Sequence, residues 1–308
     1  MAESSEITVD LSVDLGKLKL SNPVLAASGT FGYGLEYLPF VDLNRLAGFS
    51  TKGLSLKPRI GNPVPRVIDT EAGMLNAIGL ENVGLDAFLK DKIPLLKQYS
   101  ARIIVNFFGE SEEEYVEMAR ALSDVECIDA LEMNISCPNV ATGGHQFSST
   151  PQRVESVVSK TRQATHKFLI VKLSPNVQDI GEIAKAAESA GADALSVANT
   201  YVGMKIDIRT GKPYIANRTG GLSGSAIKPL SLYLVNQTAK VVKIPIFGIG
   251  GIASAEDVLE YLYAGAKAVQ IGTANFLNPA ITLEVVDDLE KLCRELGIKK
   301  LSGIRPCL

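Results

Sequence analysis

AGADALSVANT (residues 190–200) and AGAKAVQIGTA (residues 264–274) are near-copies of one junction in this chain. In each, an Ala-Gly pair ends a helical pattern, as glycine commonly does, because it tolerates a left-handed backbone. A short apolar run then follows and ends in polar residues. A repeated helix-to-strand junction favours a closed barrel of repeated βα units over two unlike domains.

Eight apolar runs of this kind occur along the chain, and helical patterns separate many of them. The runs are near-continuously apolar instead of alternating, which is typical of strands buried on both faces. They are PVLAASG (23–29), GFSTKG (48–53), RIIVNFFG (102–109), ALEMNISC (130–137), FLIVKLS (168–174), ALSVANT (194–200), IPIFGIGG (244–251) and AVQIGTAN (268–275). The order predicts an α/β fold, a (β/α)8 TIM barrel, with residues 1–308 as a single domain.

Two long insertions and an N-terminal segment complete this prediction. Residues 54–94 follow the second run and residues 201–226 follow the sixth. Extra chain after a barrel strand lies on the C-terminal face, where barrel enzymes have their active sites. We therefore expect both insertions to form long loops over that face. The stretch ITVDLSVDLGKLKL (7–20) alternates and turns at Gly16, which predicts an N-terminal hairpin closing the opposite end.

Composition excludes several classes of function. The chain has 308 residues, 46% hydrophobic content and a net charge of −3, with no basic stripe of the kind that binds nucleic acid. The N-terminal MAESSEITVD lacks the positively charged and apolar regions of a signal peptide, so we expect it not to be one, and no apolar run reaches the roughly 18 residues of a membrane span. We therefore expect a soluble, cytoplasmic protein. Four scattered cysteines and two histidines predict neither a disulfide framework nor a metal site.

Two lysines stand at the ends of otherwise apolar runs, Lys52 in GFSTKG and Lys172 in FLIVKLS. Burying an ammonium group costs several kcal/mol unless it meets an anion or hydrogen-bond acceptors. The alternative is that each side chain reaches solvent at a strand end. Because Asn106, Asn134 and Asn199 also end strands, we favour a shared ligand site.

Glycines at the ends of the last two runs indicate which anion is bound. FGIGG (247–251) and QIGTAN (270–275) occupy the positions where barrels of this kind frequently bind phosphate. Gly224 and Ser225 could add a third wall. GIGGIA also matches a dinucleotide fingerprint, but the next strand lacks its acidic residue, and the glycines could merely form turns. A phosphate-bearing cofactor near a lysine suggests FMN, whose reduced ring a cation stabilises.

The stretch NISCPNV (134–140) places a thiol between two asparagines at a strand end. A free cysteine is most often a small buried hydrophobe. A thiolate in an amide-rich site can instead act as a base. Asn134 and Asn139 flank Cys137, so we predict that Cys137 is the catalytic residue and that the two amides orient a planar substrate.

Nine motifs together resemble a class 1 dihydroorotate dehydrogenase from about residue 8 to the C-terminus. They are STKG, GNPVPRV, GMLNAIGLENVG, NISCPNV, VKLSPN, VANT, GGLSG, GIGGI and IGTA. The resemblance implies oxidation of (S)-dihydroorotate to orotate in pyrimidine (UMP) biosynthesis, with one FMN per chain. It further implies that Cys137 removes the C5 proton and that FMN accepts the C6 hydride.

The resemblance also implies residue roles. The implied substrate-binding residues are Lys52, Asn76, Ala77, Ile78, Gly79, Leu80, Asn134, Asn139, Asn199 and Thr200. The implied FMN-binding residues are Ser28, Lys52, Gly53, Asn106, Asn134, Lys172, Ala198, Gly224, Gly250, Gly251, Gly272 and Thr273, the last five of them at the ribityl phosphate.

The subclass is implied by two further stretches. LNAIGLENVG (75–84) and GMKIDIRTGKP (203–213) resemble the 1B form, which implies a homodimer and a second subunit with FAD and a [2Fe–2S] cluster that passes electrons to NAD⁺. Class 2 enzymes carry Ser in place of Cys137. The alternatives are a fumarate-linked class 1A enzyme, another FMN barrel oxidoreductase of dihydropyrimidines, and a non-catalytic barrel that binds a phosphate ligand.

Overall fold

The computed structural model describes residues 8–136 and 147–308, and its centre is a closed barrel of eight parallel strands. The strands are β1 (Val24–Ala26), β2 (Gly48–Ser50), β3 (Arg102–Phe107), β4 (Ala130–Asn134), β5 (Phe168–Lys172), β6 (Ala194–Val197), β7 (Ile246–Ile249) and β8 (Ala268–Ile271). Each pairs with its neighbours in the chain, and β8 pairs with β1. The predicted (β/α)8 barrel is confirmed.

Helices surround the barrel from the second unit onward. They span Leu85–Ala87, Phe88–Lys92 (a π turn), Ile93–Leu96, Glu112–Ser123, Pro151–Gln163, Ile180–Ser189, Lys228–Ala239, Ala255–Tyr263, Ala274–Leu277 and Ile281–Glu295. Ser111, Thr150 and Ser254 cap three of them by accepting backbone N–H bonds. The longer helices bury apolar stripes against the outer face of the strands.

The first unit departs from the predicted alternation, because only two short 3₁₀ helices, Leu35–Tyr37 and Leu43–Arg45, follow β1. Gly29, Gly32 and Gly34 all have positive φ in this connection. Glycine is a poor helix former, and this cluster prevents a regular α-helix. This unit therefore has the barrel strand but no α-helix between β1 and β2.

The N-terminal hairpin closes the bottom of the barrel, as predicted. Val13–Asp14 pairs antiparallel with Lys19–Leu20, and Gly16 between them has a φ of 83°. Leu15, Leu18 and Leu20 are buried in one apolar cluster with barrel residues. The barrel members of this cluster are Leu25, Ala47, Ile104, Ala130, Phe168, Ile170, Ala194, Phe247 and Ala268. The hairpin thus provides the lowest layer of the core.

Both insertions meet over the opposite end in one antiparallel sheet. Its strand order is Tyr201–Gly203, Gly220–Ser223, Gly73–Asn76 and Val67–Thr70. The central contact pairs Leu222 with Leu75, one residue from each insertion. The prediction that the insertions cover this face is confirmed, except that residues from Leu85 onward belong to the helical segment of the second unit.

None of the helices in residues 8–136 and 147–308 is both long enough and apolar enough to cross a membrane.

The bottom layer makes a stability prediction. Leu18→Ala leaves a cavity under the barrel, since this side chain is only 2% exposed, and we expect a loss of about 2–5 kcal/mol in the free energy of unfolding. Urea unfolding followed by circular dichroism measures it. Leu296→Ala, at a leucine that is 57% exposed, is the control and should cost about 0.5 kcal/mol or less. Equal losses in both variants would contradict the role of the hairpin.

Candidate active site

A cavity of about 1090 Å³ lies between the C-terminal ends of the strands and the antiparallel sheet. Its volume is at the upper end of small-molecule sites, about 300–1,000 Å³, so it has room for two ligands side by side. The predicted residues that line it are Ser28, Lys52, Gly53, Asn76, Ile78, Gly79, Leu80, Asn106, Asn134, Lys172, Ala198, Asn199, Thr200, Gly224, Gly250, Gly251, Gly272 and Thr273. Every barrel strand therefore contributes at or just beyond its end.

Three predicted residues are not placed at this wall. Ala77 is fully buried and lies behind it, where its N–H donates to the Arg66 carbonyl and its own carbonyl accepts from Asn62 Nδ2. Ala77 thus supports the loop that lines the cavity. Cys137 and Asn139 lie outside the described residues.

The two lysines lie on the cavity wall without a contacting counter-ion. Lys172 is 5% exposed, which argues against the alternative that it reaches solvent. Within the described ranges, the ammonium groups of Lys52 and Lys172 donate no hydrogen bond of 3.5 Å or less, and neither has a carboxylate oxygen within 4.0 Å. Such groups favour an anionic ligand.

The pKa of Lys52 lies below its usual value. Burial is the main cause, and the charge of Arg66 acts in the same direction. The carboxylates of Glu81 and Glu36 oppose this shift. A bound anion would relieve the cost of burying this charge.

The glycine-rich ends of β7 and β8 form an anion cradle. In the part of the chain that the structure describes, the backbone N–H groups of Gly250, Gly251, Gly272 and Thr273 have no protein acceptor. A Cβ atom at Gly250 would lie 2.3 Å from Ser231 Oγ, so only glycine fits there. Orphaned N–H groups that converge on a cavity fit a phosphate group.

A chain of polar side chains crosses the floor of the cavity. Asn106 Nδ2 donates to Glu132 at 2.7 Å, and Asn134 Nδ2 donates to Asn106 Oδ1 at 3.5 Å. Ser136 donates to Asn134 Oδ1 at 3.0 Å, and Asn199 Nδ2 donates to Ser136 Oγ at 2.8 Å. These bonds fix the orientation of each amide group.

The loop that carries Asn76 to Leu80 holds an uncommon backbone conformation. Leu80 has a φ of 59°, in the left-handed region that costs energy for a residue with a branched side chain. Asn82 Nδ2 donates to the Leu80 carbonyl at 2.9 Å, and an ion pair between Arg66 and Glu81 adds a second restraint. These contacts therefore stabilise the uncommon conformation of the loop.

Sequence reasoning missed Glu132, which it read as part of the apolar run ALEM. The residue is fully buried at the centre of the barrel. A charged residue in the middle of an apolar strand is the same signal that identified Lys172, so it could have been found. It also missed the hydroxyl pair at the cradle, where Thr273 Oγ1 donates to Ser223 Oγ at 2.8 Å.

Comparison with known proteins assigns the chain to a family. The family model for dihydroorotate dehydrogenase matches residues 10–293. The chain belongs to the dihydroorotate dehydrogenase family. The resemblance found in the motifs is thereby confirmed.

Relatives of this dihydroorotate dehydrogenase family member match it over nearly their full length. A protein of Trichlorobacter lovleyi, named dihydroorotate dehydrogenase B (NAD(+)), catalytic subunit, is 55% identical over 294 residues, covering 96% of this chain and 97% of its own. A protein of the same name from Geobacter metallireducens is 53% identical over 297 residues, with the same coverage of both chains.

A solved structure agrees with the fold. The dihydroorotate dehydrogenase of Eimeria tenella, in complex with ferulenol, aligns with a TM-score of 0.80 at 22% identity. The alignment covers 98% of this chain and 89% of the other. At this identity the likeness supports the barrel fold alone.

Tyr261 holds the anion cradle in place, which leads to a prediction about FMN affinity. Its hydroxyl donates to the Gly250 carbonyl at 2.6 Å, and burial raises its pKa, so it stays a donor. Tyr261→Phe frees the Gly250–Gly251 peptide, and we expect FMN to bind about fivefold more weakly, the value of one hydrogen bond of about 1 kcal/mol. FMN titration of the apoprotein measures it. The control is Tyr263→Phe, at a more exposed position, and equal affinity in both variants would contradict this role.

Proposed function

We propose that this chain is a single FMN-binding barrel domain that oxidises (S)-dihydroorotate to orotate. One observation carries the proposal. A single cavity in a chain of this family combines an orphaned N–H cradle with two lysine ammonium groups that lack a contacting counter-ion. The N–H cradle suits a phosphate group. The two ammonium groups suit the other negative charges, on the cofactor ring and on a carboxylate substrate.

The residues present fit FMN. Gly224, Gly250, Gly251, Gly272 and Thr273 would hold its ribityl phosphate through the cradle. The flavin ring would contact the remaining lining residues assigned to the cofactor, which are Ser28, Lys52, Gly53, Asn106, Asn134, Lys172 and Ala198. When bound, FMN supplies the acceptor for a hydride. Lys172 would stabilise the negative charge that reduction adds.

The substrate would lie beside the cofactor, under the antiparallel sheet. Lys52 would pair with its carboxylate, because this ammonium group has no contacting carboxylate in the described protein. The amides and backbone groups would bind the pyrimidine edges and hold the ring flat. The proposed residues are Asn76, Ala77, Ile78, Gly79, Leu80, Asn134, Asn139, Asn199 and Thr200, with Ala77 acting from behind the wall.

Cys137 would act as the base. As a thiolate it would take the proton from C5, while the C6 hydrogen leaves with its electron pair and the C5–C6 bond becomes double. The adjacent Ser136 is fully buried and bonded to Asn134 and Asn199. These bonds would hold the chain that enters Cys137 in a fixed direction.

The electrons would pass to NAD⁺ through a partner. The relatives that match at 55% and 53% identity are named NAD(+)-linked catalytic subunits. We therefore infer a second subunit that carries FAD and a [2Fe–2S] cluster, bound to a homodimer of this chain. Co-purification with such an iron–sulfur flavoprotein would test the assembly directly.

The activity is tested by the absorbance of the pure protein. We expect the bands of bound flavin, and we expect dihydroorotate to bleach them without oxygen while one orotate forms per FMN. A colourless folded protein with no affinity for FMN would refute the proposal. Bleaching by a different dihydropyrimidine, with none by dihydroorotate, would keep the enzyme class and change the substrate.

Replacement of the base gives a kinetic prediction. Cys137→Ala should retain FMN but lose flavin reduction by more than about 100-fold, because a general base contributes at least that much. Stopped-flow absorbance measures the rate. Cys127→Ala is the control and should react at the normal rate, because this half-buried cysteine precedes the N-terminal end of β4 and does not line the cavity. Near-normal reduction by Cys137→Ala would remove the role.

The lowered pKa of Lys52 gives a pH prediction. The charged form binds a carboxylate, and this lysine loses its proton at a lower pH than the ordinary value of 10.5. Orotate affinity should therefore fall as pH rises toward that value. In Lys52→Arg the charge persists, so its affinity, even if weaker, should stay flat with pH. Flavin-monitored orotate titrations from about pH 7 to about pH 10 measure both, and parallel decline in the two proteins would contradict the assignment.

A further inference from the structure

A single buried carboxylate connects most of the barrel strands. Glu132, in β4, is 0% exposed. Its Oε2 accepts from Ser50 Oγ at 2.7 Å and from Asn106 Nδ2 at 2.7 Å. Its Oε1 accepts from Ser196 Oγ at 2.7 Å and from Gln270 Nε2 at 2.9 Å. The four donors come from β2, β3, β6 and β8.

The carboxylate is ionised. Burial alone raises the pKa of Glu132, but the charge of Lys172 and the hydrogen bonds from Ser196, Ser50 and Asn106 outweigh it and leave the pKa below its usual value. All four donors suit a charged acceptor, because a carboxylate without a proton can accept at both oxygens. The four donors and the direction of the pKa shift together indicate a charged carboxylate at the centre of the barrel.

Packing does not require this charge. The layer directly below is apolar and includes Leu25, Ile104, Ile170 and Phe247. Burying a carboxylate costs several kcal/mol before its partners compensate, and an apolar replacement is often neutral or stabilising. A barrel built for stability alone would extend the apolar layer upward, so the carboxylate calls for another explanation.

The position of Glu132 below the cavity explains why a carboxylate is buried there. Asn134, two residues beyond Glu132 in β4, lies opposite Lys172, so the carboxylate lies directly beneath two residues of the cavity wall. Its bond with Asn106 Nδ2 turns Asn106 Oδ1 toward Asn134. The electric field at Lys172 and the orientation of Asn106 both depend on this one group.

We propose that Glu132 is a positioning residue that sets the reduction potential of the bound cofactor by countering the charge of Lys172 and by fixing the amide of Asn106. This inference rests on the proposed function, because it takes FMN as the ligand above Lys172. Reduction adds negative charge to FMN, which Lys172 favours and Glu132 opposes. The two charges together hold the potential between the values that either alone would produce.

Removal of the negative charge should make FMN easier to reduce. In Glu132→Gln, no negative charge opposes Lys172. The new amide nitrogen replaces one carboxylate oxygen and therefore faces the donor nitrogen of either Asn106 or Gln270. That neighbour must then rotate its amide so that its oxygen accepts. We expect the midpoint potential to rise by at least a tenfold change in the reduction equilibrium, about 30 mV for two electrons. Equilibration with a reference dye, followed by absorbance, measures it.

Two controls separate charge from packing. Ser196→Ala removes one hydrogen bond to Glu132 but keeps the carboxylate, and its reduction equilibrium should change by less than threefold. Glu132→Asp keeps the charge but shortens the side chain. Its thermal stability should fall, while its reduction equilibrium should stay within threefold of that of the wild type. A merely structural role predicts lower stability in all three variants and no selective shift in Glu132→Gln.

A second pair of variants tests the inference if Glu132→Gln does not retain FMN. Lys172→Gln and the double variant E132Q/K172Q are then compared over a range of pH, because burial raises the pKa of Glu132 once the Lys172 charge is removed. At pH values where Glu132 is ionised, the double variant should have the higher potential by the same tenfold factor, and the difference should disappear as Glu132 gains its proton. Equal potentials in that pair at every pH, or an unchanged potential in Glu132→Gln, would overturn the inference. Wild-type protein that binds no FMN would instead refute the proposed function, and the two failures are distinct.

Discussion

The pairing of β8 with β1 is the constraint on which the rest of the structure depends. Val269 lies opposite Val24 and Ile271 opposite Ala26, which closes the ring of parallel strands. All strands of a parallel barrel end on one face, so closure brings Ser28 and Thr273 to the same cavity although most of the chain separates them. An open sheet of the same strands would leave these residues at opposite edges.

Within that ring, three layers of side chains have different roles. The N-terminal hairpin and the lowest barrel residues form an apolar layer that stabilises the fold. Glu132 and its donors form a polar layer above it. The lysines, asparagines and glycines at the strand ends form the ligand-binding layer. Each layer rests on the one below, so the ligand-binding groups are held by packed side chains and not by loops alone.

Three kinds of hydrogen-bond donor meet in the cavity, and each suits a different part of a ligand. Backbone N–H groups at Gly251 and Gly272 approach closely enough for a phosphate. Ammonium groups match carboxylates or electron-rich ring edges, and amides such as Asn199 match groups that both donate and accept. The combination fits a phosphate-bearing cofactor together with a small polar acid, as expected for a dihydroorotate dehydrogenase.

The sequence by itself determined the barrel, the hairpin and the position of the two insertions, because periodicity marks buried strands and a parallel barrel turns every strand end one way. The strand ends and the resemblance in the motifs together identified about half of the residues that line the cavity. Only the tertiary structure decided the rest. It placed Ala77 behind the wall, joined Leu75 to Leu222 and gathered four donors around Glu132. Contacts between distant strands depend on the stagger of the closed ring, which local periodicity does not encode.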